Sequence, residues 1–206
     1  MIQFSDVSQN SEEWYSLRLG KATASNFSVF MANNGKAFGE PAKKYAVRLA
    51  LERITGMQAD SFTNSHMERG HQQEPIARML YEEQTFSTVT NGGFFHTDEY
   101  GCSPDGLIGC DGLLEIKSVV GSTHFETLLR NAPDPAYKWQ IVGHLEVTGR
   151  NWIDFVSYCS EFPEAKQLLT FRRFRDDCQA EIEQLRERRA EFLELIKSTE
   201  LSIRGL

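Results

Sequence analysis

The stretch from Ser103 to Lys117 constrains the fold more than any other part of the chain. It runs Ser103-Pro104-Asp105-Gly106, then through Cys110-Asp111-Gly112 to Leu113-Leu114-Glu115-Ile116-Lys117. Successive side chains on a strand point to opposite faces. Glu115 and Lys117 therefore share one face, while Leu114 and Ile116 anchor the other in a core. A turn at 110–112 lays the strand 101–109 alongside and brings Asp105 near Glu115. Two carboxylates and an ammonium then meet at one end of a sheet. Carboxylates so placed repel unless a cation offsets their charge, and a hard, oxygen-seeking ion such as Mg²⁺ does so. Lys117 is positioned to orient a water or to stabilise charge on a phosphoryl oxygen, which is the equipment of metal-assisted phosphodiester hydrolysis. A strand Glu-x-Lys alone is commonly a surface pair. Here the apolar Leu113, Leu114 and Ile116 and the adjacent Asp105 favour a site.

The remaining sequence is compatible with that core. At 206 residues, 40% apolar and 25% charged, the chain is long enough for one sizeable core and has ordinary globular usage. No apolar run reaches the ~20 residues of a membrane span. The opening residues lack the basic start and apolar stretch of a signal peptide. Four scattered cysteines without a CxxC spacing argue against a zinc ribbon or iron–sulfur cluster and fit reduced thiols. A cytoplasmic protein with no membrane partner is the expectation. Net charge is −7, and residues 61–117 carry 9 acidic against 3 basic groups. That acidic middle is either a solvated face or carboxylates gathered for a cation, and it does not exclude DNA in a locally basic groove.

Element by element, Asn10 with Glu13 predicts a capping box before Trp14 and Leu17, ended by Gly20. Thr23-Ala24-Ser25 caps a short helix through Phe27 and Phe30. Residues 31–39 form a loop, and Pro41 opens a helix with Tyr45, Leu49 and Ile54 buried up to Gly56. Helix 65–84 must bend or divide at Pro75. Strands follow at 92–97, 101–109 and 112–120, helices at 122–131 and 135–148, and strands at 152–159 and 168–174. The segment 171–175 (FRRFR) reads as a strand with its arginines facing solvent. A closing helix over 176–197 has the stripe Cys178, Ile182, Leu185, Phe192, Ile196, interrupted at Arg189. The expectation is a single α/β domain spanning 1–206, a mixed sheet with helices on both sides.

Ser103-Pro104-Asp105-Gly106 followed by Glu115-Ile116-Lys117 resembles the core of the PD-(D/E)XK nuclease superfamily. The likeness is closest to its lambda-exonuclease, or YqaJ-like, branch of viral recombination nucleases. Three more elements agree in order: Trp14 to Arg18 followed by Thr23-Ala24-Ser25, Gly70 with Glu74 four residues on, and Gln140 after the Glu-x-Lys strand. The resemblance implies that Asp105 and Glu115 bind metal with the Ile116 carbonyl, and that Glu74 completes the acidic site. It implies Lys117 as catalytic lysine and Gln140 as a residue that helps orient water. Arg18 with Ser25 would hold a terminal 5′-phosphate, with Trp14, Thr23 and Ser103 beside them. It further implies Mg²⁺ (with Mn²⁺ as substitute), 5′→3′ digestion of one strand of 5′-phosphorylated duplex ends, a homotrimeric ring and a single-strand annealing partner. The family often has an arginine shortly after the lysine. Here that stretch is Ser118 to His124, leaving His124 or Arg130 as substitutes.

Each auxiliary residue has a plainer reading. Trp14 can serve packing alone, Arg18 can be a helix-surface charge, Glu74 a solvated carboxylate, and Gln140 with His144 a polar helix face. His66 and His71 around Glu68 read as helix-surface residues rather than metal ligands. A structure-specific or helicase-linked endonuclease and an inactive DNA-binding module are the alternative functions.

Overall fold

The computed structural model describes residues 1–33, 35–58 and 65–205, apart from the side chains at 65–68 and 71. The readings of His66, Glu68 and His71 lie outside the described residues. In chain order the first elements are β1 (Gln3–Ser5), α1 (Glu12–Arg18), β2 (Ala22–Thr23), α2 (Phe27–Met31), α3 (Glu40–Thr55) and α4 (Ser65–Thr85). Strands β3 (Val89–Asn91), β4 (Phe94–His96), β5 (Tyr100–Cys102), β6 (Gly106–Ile108) and β7 (Gly112–Ser118) follow. The chain continues with α5 (Gly121–Arg130), α6 (Lys138–Thr148), β8 (Trp152–Tyr158), β9 (Leu168–Phe174) and α7 (Gln179–Arg204). Among the described residues no helix is long and apolar enough to cross a membrane.

The central sheet has the order β3-β6-β7-β8-β9 and is mixed: β7 and β8 run parallel, and the other neighbours are antiparallel. The parallel pair requires a crossover, which α5 and α6 supply. On one face Leu114, Ile116 and Val156 pack with Ala77 and Tyr81 of α4. On the other, Leu113, Ile153 and Phe155 join residues of α2, α3, α6 and α7. Helices on both sides of a mixed sheet are as the sequence predicts. A second sheet, β1-β4-β5-β2, is additional.

Several local expectations change. Asn10 takes a left-handed φ of 65° and does not cap α1; Ser11 does, its hydroxyl accepting from the Trp14 amide at 3.2 Å. Of the two outcomes expected at Pro75, division does not occur, and α4 continues through it. The loop after α2 is tied down, because the buried Arg188 guanidinium donates to the carbonyls of Phe30 at 3.1 Å and Lys36 at 2.9 Å. The arginines of β9 are exposed, as expected, but one of them also has a partner in the fold. Arg172 clamps the buried Asp154 carboxylate with two bonds of 2.8 Å, and Tyr81 donates to the same carboxylate at 2.5 Å. A buried carboxylate needs such partners, which is why the strand turns this arginine back onto the fold.

The interruption at Arg189 has a partner too. Arg189 is buried on α7 and pairs through both terminal nitrogens with buried Glu146 on α6, which also accepts from Arg186 at 2.8 Å. Removing one member would strand the other charge in the core. Glu146→Ala is therefore expected to lower unfolding free energy by about 3–5 kcal/mol, measured by urea denaturation. A loss below about 1 kcal/mol would show that water replaces the carboxylate.

Candidate active site

The segment 101–109 is not one strand. Strand β5 ends at Cys102 in the smaller sheet and β6 begins at Gly106 in the larger, so Ser103, Pro104 and Asp105 cross between sheets. The crossing is tightly seated: a Cβ built on Gly92 would lie 1.7 Å from the Pro104 carbonyl oxygen, so only glycine fits there. Asp105 accepts from the Ile116 amide at 2.6 Å, and Gln9 donates to Pro104 O at 3.0 Å and to Asp105 Oδ1 at 3.5 Å. Strand β6 pairs with β7 only as far as Leu114, so the Asp105 side chain takes the next ladder position. A strand residue's N–H and C=O point to the same side. The Ile116 carbonyl therefore faces the side on which Asp105 lies.

On the adjacent face of β7, Glu115 is almost wholly buried, with 1% of its surface exposed. Its Oε1 lies 2.5 Å from Lys117 Nζ and 2.5 Å from Gln140 Nε2. Its Oε2 lies 2.9 Å from His144 Nε2. Burial pushes the Glu115 carboxyl up, but Lys117 and His144 outweigh it and bring it down to about 2. Burial would lower the Lys117 ammonium, yet Glu115 and Asp105 raise it above its usual range. Asp105 is pushed well above the carboxylate range, by burial first and then by the charges of Glu115 and Glu74. The structure thus brings Asp105, Glu115, Lys117, Gln140 and Glu74 together. Gln140 and His144 lie on a helix face turned to Glu115, not to solvent.

A second group of residues lies at the other end of the crossing. Ser103 Oγ accepts from Trp14 Nε1 at 2.8 Å and from Arg18 at 3.1 Å. The Arg18 guanidinium lies over the Trp14 ring, 3.9 Å from its centroid. Burial lowers its pKa to about 10, so it stays cationic at neutral pH. Among the described residues no carboxylate pairs with it. The Tyr45 hydroxyl accepts from the Thr23 amide at 3.1 Å, and Thr23 and Ser25 hydroxyls lie 3.3 Å apart. Arg48 stacks over the Tyr45 ring at 4.7 Å.

Two carboxylates and a strand carbonyl are oxygen donors suited to a hard divalent ion, and the repulsion that raises Asp105 is what such an ion would relieve. Among the described residues no three His, Cys, Asp or Glu side chains form a closed cage. A site built on two carboxylates matches an ion that retains several of its waters.

A family model for the YqaJ-like viral recombinase domain matches residues 13–151. An alkaline exonuclease from Laribacter hongkongensis, LHK-Exo, is 36% identical, with a TM-score of 0.79 over 95% of this chain and 99% of that one. The same exonuclease in complex with dAMP gives a TM-score of 0.81 at equal identity and coverage. A phage-related exonuclease from Haemophilus somnus, 15% identical, shares the fold with a TM-score of 0.69 over 90% of this chain and 95% of that one. No curated protein matches. The chain belongs to the YqaJ-like viral recombinase family. By family and fold it is a nuclease.

In this YqaJ-like chain the two candidate substitutes for the missing arginine differ in exposure. His124 is fully buried, its ring nitrogens 2.8 Å from Ser157 Oγ and 2.8 Å from the Lys166 carbonyl, and Arg130 is exposed at the end of α5. Residues that sequence reasoning missed are Gln9, Arg48 and His144 as a partner of Glu115. For His144 the signal was its spacing one turn after Gln140; for Arg48, one turn after Tyr45 minus one residue. Gln9 carried no signal, because its contact spans 96 positions.

Asp105 holds its proton more tightly folded than unfolded, so stability is lost as pH rises from the unfolded carboxylate pKa of about 4 through its raised value. With metal chelated, Asp105→Asn is expected to melt higher than wild type at pH 7, each 1 kcal/mol giving about 2–4 °C. The difference should vanish below about pH 4, where both states are protonated. Calorimetry across pH checks this, and equal melting at pH 7 would remove the carboxylate repulsion.

Proposed function

We propose that residues 1–206 form one nuclease domain that degrades linear double-stranded DNA from its ends with a divalent ion, Mg²⁺ or Mn²⁺ in its place. It digests one strand 5′→3′ and leaves a 3′ single-stranded overhang for recombination by strand annealing. The observation that carries this reading is the Ser103–Asp105 crossing. Within three residues it joins the Arg18–Trp14 contact at Ser103 to the Asp105–Glu115–Lys117 cluster. A buried cation with no carboxylate partner among the described residues, held next to a carboxylate pair, suits a terminal phosphate lying beside a scissile one.

Asp105, Glu115 and the Ile116 carbonyl hold the ion, with Glu74 beside them. When bound, that ion supplies Lewis-acid stabilisation and a nucleophilic water at neutral pH. Lys117, in contact with Glu115, stabilises negative charge on the phosphoryl oxygen or orients the attacking water. Gln140 donates to Glu115, and its remaining amide groups help orient the water. Arg18 and Ser25 bind the 5′-phosphate, with Thr23, Trp14 and Ser103 shaping the pocket. A homotrimeric ring around the duplex, an annealing partner and a cytoplasmic location are carried over from the family. A stable monomer in light scattering would remove the ring.

Two experiments test the reading. End-labelled linear duplex should be degraded and a closed circle spared, with activity abolished by EDTA and by Asp105→Asn; cutting of the circle would reject the exonuclease. Wild type should prefer 5′-phosphorylated over 5′-hydroxyl duplex by roughly ten- to a hundredfold, the worth of a charged hydrogen bond of about 1.5–3 kcal/mol. Arg18→Ala should lose most of that preference, whereas Lys117→Ala should lose turnover on both ends while still binding DNA. Equal discrimination by wild type and Arg18→Ala would assign the phosphate pocket elsewhere.

A further inference from the structure

Helix α6 buries Ile141, Val142, Leu145 and Val147, and in their midst it buries an imidazole, His144, with 1% of its surface exposed. Burying a polar ring among apolar side chains costs free energy unless a partner compensates. Among the described residues neither ring nitrogen of His144 makes a well-aligned hydrogen bond, and the Oε2 of Glu115 has none either. The two unsatisfied atoms face each other: His144 Nε2 lies 2.9 Å from Glu115 Oε2, an ionic contact in the midst of apolar side chains.

The contact is not redundant with those of Lys117 and Gln140. Both of these reach Oε1, each at 2.5 Å, and leave the carboxylate free to turn about its terminal bond. His144 takes the opposite oxygen. A carboxylate gripped at both oxygens has one orientation.

We infer that His144 is a positioning residue that fixes the plane of the Glu115 carboxylate for binding of a divalent ion. This rests on the reading of Glu115 as a metal-binding residue. Groups that orient a metal ligand from behind typically carry 10- to 100-fold in metal affinity or activity. His144 acts on metal affinity rather than on chemistry at saturating metal.

The test is Mn²⁺ binding to the DNA-free protein, followed by electron paramagnetic resonance, with melting temperature recorded for every variant. Wild type and Glu115→Gln set the limits. His144→Leu, which fills the same apolar space, should melt at or above wild type yet bind Mn²⁺ about 10- to 100-fold more weakly. Its nuclease rate should recover as metal is raised. His144→Gln, which restores a donor at similar reach, should bind Mn²⁺ close to wild type. His144→Asn, too short to reach Glu115, should resemble the leucine variant. Wild-type Mn²⁺ affinity in folded His144→Leu would overturn the inference, since a merely structural role moves melting but not metal binding. Should His144→Leu fail to fold, equal Mn²⁺ affinity in His144→Gln and His144→Asn would overturn it as well. If Glu115→Gln itself binds Mn²⁺ as wild type does, the metal reading fails, and that result is distinct from a failure at His144 alone.

Discussion

Glu115 is a carboxylate with almost no access to water, and a charge in that position survives only if the protein supplies what solvent would have. Three donors do so: Lys117 from the same strand, and Gln140 and His144 from one face of α6. Their combined attraction exceeds the cost of burial and keeps the group ionised. The consequence is geometric as well as electrostatic. Helix α6 turns Gln140 and His144 to the strand, while Ile141, Val142, Leu145 and Val147 pack it into the main core.

The other contacts of α6 then join parts of the molecule that are far apart in sequence. Gly143 faces the segment that carries Ser25: a Cβ there would lie 2.7 Å from the Phe27 ring and 3.1 Å from Ala24. The absence of a side chain lets the helix press close to the Thr23–Ser25 segment. Glu146, about one turn further on, is gripped by Arg186 and Arg189 of α7. One helix thus shares its faces among the acidic cluster, the neighbourhood of the proposed phosphate pocket and the closing helix. A shift of α6 would disturb all three together, because densely packed interiors transmit displacement rather than absorb it.

The two halves of the site also meet through the crossing at Ser103–Asp105. Its backbone is pinned by Gly92, by Gln9 and by the Asp105 bond to Ile116. Such over-determination suits a segment that presents a hydroxyl to one cluster and a carboxylate to another, since small errors in placement are costly for function. Arg18, lying on Trp14 and donating to Ser103, is held in place before any ligand arrives.

The alternation of Leu114, Glu115, Ile116 and Lys117 was enough, from sequence, to sort a chemical face from a core face, because strand periodicity is local. The hairpin turn at 110–112, the strand 168–174 and the apolar stripe of α7 were legible for the same reason. What only the tertiary structure decided depends on contacts distant along the chain. Composition could not divide 101–109 between two sheets, since both halves are apolar and the partners that separate them, β4 and β7, lie elsewhere. That exposed Arg172 also clamps Asp154, and that Arg189 breaks the apolar stripe to meet Glu146, was not legible because these partners lie 18 and 43 positions away. His144 read as a polar face because nothing in its own helix reveals the buried carboxylate opposite. Local periodicity specifies which way a side chain points, and packing alone determines what it meets.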